Sequence, residues 1–235
     1  MKNRFLWILC ALLSLLVLTG GCNRKPASTA DVPRSLSHQY KIAVAPFTQP
    51  RDISQLIMGQ LPQPQALAAR DVLIAQDRQL RDVLYTTTKR SYDFLPRTRP
   101  LPDLKRFHTS ERPQALPLWV EYARKTSADI LFIPQVLTWR DRQGSAAGVT
   151  EPAHVRLEFF LLNIKEGNII GHSVYEVEQQ GLTENLLNVG DFFKRQGKWV
   201  TAEELAREAM IKAVMDLNLG LSFPLSTSRT ERPSA

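Results

Sequence analysis

The chain has 235 residues, a formal charge of +7, 43% hydrophobic residues, 23% charged residues and two cysteines. That is length enough for one apolar core, and it excludes both a disulfide-stapled scaffold and a low-complexity disordered chain. The 30 lysines and arginines are scattered rather than gathered into a basic stripe, so the composition predicts no nucleic-acid partner.

Lys2 and Arg4 precede an uncharged apolar run from Phe5 to Leu18, closed by Thr19, Gly20 and Gly21. Cationic, then apolar, then small is the order of a secretory signal, and the run falls short of the roughly 20 apolar residues that cross a bilayer as a helix. Residues 1–21 are therefore set apart from the fold. Cleavage after Ser28-Thr29-Ala30 is the rival reading, but that tripeptide lies well past the apolar core. Gly20-Gly21-Cys22 resembles the lipobox of bacterial lipoproteins, which implies acylation at Cys22 and a membrane anchor facing the periplasm. Asn23 is not the aspartate associated with inner-membrane retention, so the resemblance implies outer-membrane placement. Cys10 lies in the signal core, which leaves Cys22 alone in the mature chain and rules out an internal disulfide.

Residues 22–39 are polar and punctuated by proline, and read as a tether. Residues 40–222 read as a single α/β domain, and 223–235 as a disordered tail. Within the domain, Tyr40–Phe47 predicts a first strand, and Pro50, Gly59, Pro62 and Pro64 a long loop. Apolar positions at Ala69, Leu73, Leu80, Val83 and Leu84 predict an amphipathic helix over 66–87. Residues 91–95 predict a short strand and 116–126 a helix. Asp129–Leu137 is a near-continuous apolar run, the pattern of a strand buried on both faces, in which Pro134 predicts a bulge, a bend or an edge. Residues 154–164 and 169–179 predict a hairpin about Lys165–Asn168, with Val155, Leu157, Phe159 and Leu161 inward and His154, Arg156 and Glu158 on the other face. Thr201-Ala202-Glu203-Glu204 fits a capping box at the head of a last helix.

This element order gives an α/β two-layer sandwich: a mixed sheet of about five strands with a β-hairpin and about three packed helices. Tyr-Lys-Ile-Ala-Val-Ala-Pro-Phe at 40–47, Ala-Asp-Ile-Leu-Phe-Ile-Pro-Gln-Val at 128–136 and Leu-Leu-Asn-Ile-Lys-Glu-Gly-Asn-Ile-Ile at 161–170 resemble a group of exported domains. The group comprises the amino-terminal domain of TolB, the curli secretion lipoprotein and the lipoprotein activators of peptidoglycan synthases. The resemblance implies fold far more than function.

Chemistry is sparse. Gly171-His172-Ser173-Val174-Tyr175 begins like a nucleophile elbow, yet Tyr175 replaces the second glycine and the segment reads as mid-strand. Gly190 to Trp199 echoes a phosphate loop with two residues too many and no hydroxyl for magnesium. His38, His108, His154 and His172 lack metal-ligand spacing, although similar distances from the turn allow His154 and His172 to face each other across the hairpin. No cofactor, no metal and no catalytic residues are expected. Aromatic and basic residues coincide in two loops, Trp139, Arg140 and Arg142 after the middle strand, and Phe192, Phe193, Lys194, Arg195 and Trp199 before the last helix. These are the residue types that anchor interfaces, and the alternative is that the rings fold back as plugs of the core. The expectation is a non-enzymatic envelope module that binds a protein partner or assembles with itself. A cell-wall-acting enzyme and a subunit of a ring-forming secretion complex are the rival classes.

Overall fold

The computed structural model describes residues 36–102, 111–146, 148–178 and 199–220. The signal segment, Cys22, most of the tether, Phe192–Arg195 and the tail lie outside the described residues. In chain order the strands are β1 (Ile42–Val44), β2 (Tyr92–Phe94), β3 (Ile130–Arg140), β4 (Gln143–Gly144), β5 (Val149–Glu151), β6 (His154–Asn163) and β7 (Asn168–Glu178). The helices are α1 (Arg70–Thr87), α2 (Leu116–Ala123) and α3 (Ala202–Asp216). Five strands form one mixed sheet in the order β2-β1-β3-β6-β7, and β4 pairs with β5 separately. β1 runs parallel to β2 and β3, while β3, β6 and β7 are antiparallel. The α/β sandwich read from the element order is the fold.

Alternation along the strands sorts the core into two. Ile42, Val44, Ile130, Phe132, Val155, Leu157, Phe159 and Leu161 meet Leu80, Val83 and Leu84 of α1 and Leu205, Ala209, Met210 and Ala213 of α3. Phe132 stacks on Phe159 in this layer, centroids 5.9 Å apart and planes 10° from parallel. The alternate residues Ala43, Leu131, Ile133, Phe160 and Leu162 pack instead with Trp119, Tyr122 and Ala123 of α2. α2 therefore adds a partial cover on the second face, which explains why β3 is apolar at every position from Ile130 to Ile133. Each large side chain fully buried here contributes about 1.5–3 kcal/mol relative to exposure.

Pro134 sits inside β3 opposite Phe159. The carbonyls of Phe132 and Pro134 accept from Ala45 and Thr48, so the even-numbered residues turn their polar groups toward β1. The donor that proline lacks would face the point where β1 has ended, and no ladder bond is lost. The bulge in β3 falls further on, between Val136 and Thr138.

α1 begins at Arg70 rather than 66. The Ala66 carbonyl accepts the Trp139 N–H, and the Ala68 N–H donates to Gln49 Oε1, so this approach is held extended. The capping box of α3 is present in full at Thr201 and Glu204. The hairpin turn carries Gly167 at φ 70°, a left-handed conformation that favours glycine. Its register rules out one pairing that the spacing allows: His154 lies opposite Glu178 and His172 opposite Phe160, so the two histidines do not face each other. The turn closes on Asn163 and Asn168, and that closure places His172 six residues short of the partner of His154.

Candidate partner-binding end of the sheet

β3 outruns β1 and delivers Trp139 and Arg140 to one end of the sheet. The bulge before Thr138 inserts one residue, so that Val136 and Trp139 both point into the larger core while Thr138 and Arg140 point to the other face. Trp139 is only 8% exposed and shares its core with Ala153, Val155, Ala202 and Leu205. This corrects the expectation that its ring belongs to a contact surface; for this residue the core-plug alternative holds. A plain two-residue alternation from Val136 would have turned the ring outward.

The residues that follow join the end of β3 to Trp199 and the head of α3. The Arg142 Nη1 donates to the Trp199 carbonyl. Asp141 Oδ1 accepts the Ala202 N–H at 3.1 Å, at the head of α3, and the Trp199 N–H donates to the Ala146 carbonyl at 3.0 Å. Trp199 is half-buried. Arg140 pairs with Glu178 and, through Nε, with Glu151 at 3.2 Å; it also donates to the Pro152 carbonyl at 3.2 Å. Phe192, Phe193, Lys194 and Arg195 precede Trp199 in the chain and lie outside the described residues.

Beside this junction, the face of β6 and β7 not covered by α1 and α3 carries a ladder of ion pairs that the sequence marked only as a polar face. His154 Nε2 lies 3.4 Å from Glu176 Oε1. Arg156 bridges Glu158 at 3.0 Å and Glu176 at 3.4 Å. His172 stacks flat on Phe160, centroids 4.4 Å apart, and places Nε2 3.1 Å from Glu158 Oε2. Glu158 is 1% exposed and stands opposite Gln135, also 1% exposed, whose amide nitrogen and oxygen have no hydrogen-bond partner among the described residues. Leaving the imidazoles aside, four carboxylates, Glu151, Glu158, Glu176 and Glu178, meet two guanidiniums, Arg140 and Arg156, so the patch is acidic. The signal available in the sequence was the alternation of charge at 154, 156 and 158 and again at 176 and 178.

Ser173 lies in the middle of β7, as expected of a strand serine, and its Oγ donates to Asp216 Oδ2 at 2.7 Å. Burial pushes the Asp216 carboxyl up, but hydrogen bonds from Lys212 and Ser173 and the Lys212 charge outweigh it and hold the group below the usual aspartate value. The imidazole of His172 belongs to the opposite face of the strand, so Ser173 is paired with an acid and not with a base. Among the described residues no cluster of three His, Cys, Asp or Glu side chains could hold a metal ion, and no helix is long and apolar enough to cross a membrane.

No family model and no curated protein matches the chain. Solved structures similar to it include the PelC dodecamer from Paraburkholderia phytofirmans, at 14% identity and a TM-score of 0.45 over 78% of this chain and 91% of that one. They also include two further bacterial proteins. Lipoprotein GNA1162 from Neisseria meningitidis has 9% identity and a TM-score of 0.35 over 67% of this chain and 95% of that one. The LpoB C-terminal domain from Salmonella enterica has 12% identity and a TM-score of 0.32 over 59% of this chain and 83% of that one.

Proposed function

We propose that the chain is a lipid-anchored module of the bacterial cell envelope, acylated at Cys22 and facing the periplasm from the outer membrane, that binds a protein partner and catalyses no reaction. The observation that supports partner binding best is the junction of the first aromatic-basic loop with Trp199, fixed by Arg142 on the Trp199 carbonyl and by Asp141 on the head of α3. Backbone contacts of this kind hold a loop in place before a partner arrives, which lowers the ordering cost of association. The half-buried Trp199, with Arg142 beside it and an acidic ladder adjoining, has the mixed aromatic and charged make-up of an interface centre.

Capture of the full-length anchored chain from detergent-solubilised envelope, with mass identification of what comes with it, tests this reading. Trp199→Ala and Arg142→Ala are expected to lower recovery of the same partner by tenfold or more, with melting temperatures close to wild type. Unchanged recovery in both variants removes this surface from the contact. Cys22→Ala is expected to abolish acyl labelling, and label that survives it removes the anchor.

A further inference from the structure

A cleft of about 100 Å³ opens where β1 and β2 end against the middle of α1. The carboxyl ends of parallel strands are where open α/β sheets place ligands. Pro46, Leu80 and Pro96 give it apolar walls, and Asp77, Arg81 and Arg97 are its charged groups. Two of these are occupied with each other. Arg97 Nε donates to Asp77 Oδ2 at 2.8 Å, and Arg97 Nη2 donates to the carbonyls of Phe47 at 3.0 Å and Leu73 at 3.3 Å. The remaining Asp77 oxygen accepts the Phe47 N–H at 2.7 Å.

Arg81 is different. Its guanidinium lies over the Phe94 ring, 4.4 Å from the centroid, and Tyr85 flanks the same ring at 6.1 Å. It makes no hydrogen bond among the described residues. Stacking fixes the plane of a guanidinium and leaves its edge donors free, in the fork that matches a carboxylate. With Arg97 neutralised by Asp77, the cleft keeps one positive charge, and that charge is on Arg81.

We propose that this cleft binds a carboxylate on a short apolar stem, with Arg81 receiving the two oxygens and Leu80, Phe94 and Pro96 housing the stem. The volume is that of roughly three waters, enough for a carboxylate with one or two carbons and too small for a nucleotide or a sugar ring. A chain terminus or an acidic side chain of a peptide and a free small acid share this chemistry. The site uses none of the residues of the partner surface above, so it stands or falls independently of that reading.

The test is titration of the full-length chain in detergent micelles, with arginine labelled by ¹⁵N and the Arg81 Nε resonance assigned by its loss in Arg81→Gln. The probes are acetate, acetyl-Ala-Ala with a free carboxylate, and the same dipeptide amidated. The Arg81 signal is expected to shift saturably with both acids, with a midpoint on the order of millimolar, as suits a single ion contact, and not with the amide. Saturation by acetate alone supports the site and assigns it to free small acids. Arg81→Lys, which keeps the charge and loses the fork, is expected to weaken binding several-fold, read in that variant from the Arg97 Nε resonance in the same cleft. A shift that never saturates, one that the amide reproduces, or one that exposed Arg51 follows with the same curve overturns the proposal.

Discussion

Trp139→Ala separates a core residue from an interface anchor by its cost. The ring is 8% exposed and belongs to the core shared by the sheet, α1 and α3, with Val155 its partner on β6, so truncation leaves a cavity in that core. Truncating a buried tryptophan to alanine costs about 3–5 kcal/mol. In a domain of this size each kcal/mol lowers the melting temperature by about 2–4 °C, so the expected drop is roughly 6–20 °C. Trp199→Ala should cost less, because Trp199 is half-buried and is a member of neither apolar core among the described residues. Its cost should stay within about 1 kcal/mol, the usual range for a side chain outside the core. Thermal melts of the two full-length variants, followed by circular dichroism in the same detergent, decide the matter. A Trp139→Ala melt within 3 °C or so of wild type would refute the inward rotation assigned to the bulge in β3.

Four further outcomes follow from particular contacts. Thr201→Ala removes half of the reciprocal cap on α3 and should cost about 1 kcal/mol by urea denaturation, with a range of 0.5–2. Gly171→Ala would place a Cβ 2.9 Å from the Leu217 Cδ2 and 3.2 Å from the Leu161 Cδ1, so a core leucine must move, at about 1–3 kcal/mol by the same measurement. Asp216 is held below the ordinary aspartate value, so the unfolded chain binds the proton more readily; its contribution to stability is present above that value and lost as pH falls through the folded one. Ser173→Ala should raise the Asp216 pKa, read from its carboxyl ¹³C shift, and shrink the acid-side loss of stability. Burial pushes the Asp77 carboxyl up against the Phe47 N–H and Arg97, so its contribution has the opposite sign and declines as pH rises through the folded value. Asp77→Asn should flatten that decline in a pH series of melts.

What the sequence made legible is what periodicity encodes. The apolar run of Asp129–Leu137, the inward set of β6, the hairpin turn at Gly167 and the capping box of α3 each depend on local spacing, and each is where it was expected. What it hid depends on single inserted residues. Leu137 in β3 reverses the facing of Trp139, and a second bulge inserts Ile170 into β7 opposite Leu161 and Leu162 of β6. A bulge carries no composition signal strong enough to read, because one extra residue changes the face without changing the alternation on either side of it. The Asp77–Arg97 pair was hidden for another reason: its members lie 20 residues apart on different elements, and only the ends of β1 and β2 bring them together.

The ion-pair ladder limits what kind of partner the sheet's end can accept. Glu158 is almost wholly buried, and its two carboxyl oxygens each have a neighbour, Arg156 at one and at the other the His172 that Phe160 holds flat. Losing either neighbour would leave a buried carboxylate short of a partner, which is far costlier than losing an exposed pair, so these side chains are held in one arrangement. Glu176 and Glu178 sit at the rim, each 45% exposed, and their carboxylates are shared with Arg156, His154 and Arg140. A partner approaching Trp199 and Arg142 across this rim therefore meets a fixed excess of negative charge at its flank. Rim charges act mainly on association rate and its salt dependence, so the partner surface that fits is basic where it faces β7 and apolar where it meets Trp199. Glu176→Gln with Glu178→Gln should slow association with the captured partner and flatten its dependence on salt while leaving dissociation nearly unchanged. An association rate indifferent to both substitutions would place the contact elsewhere on the domain.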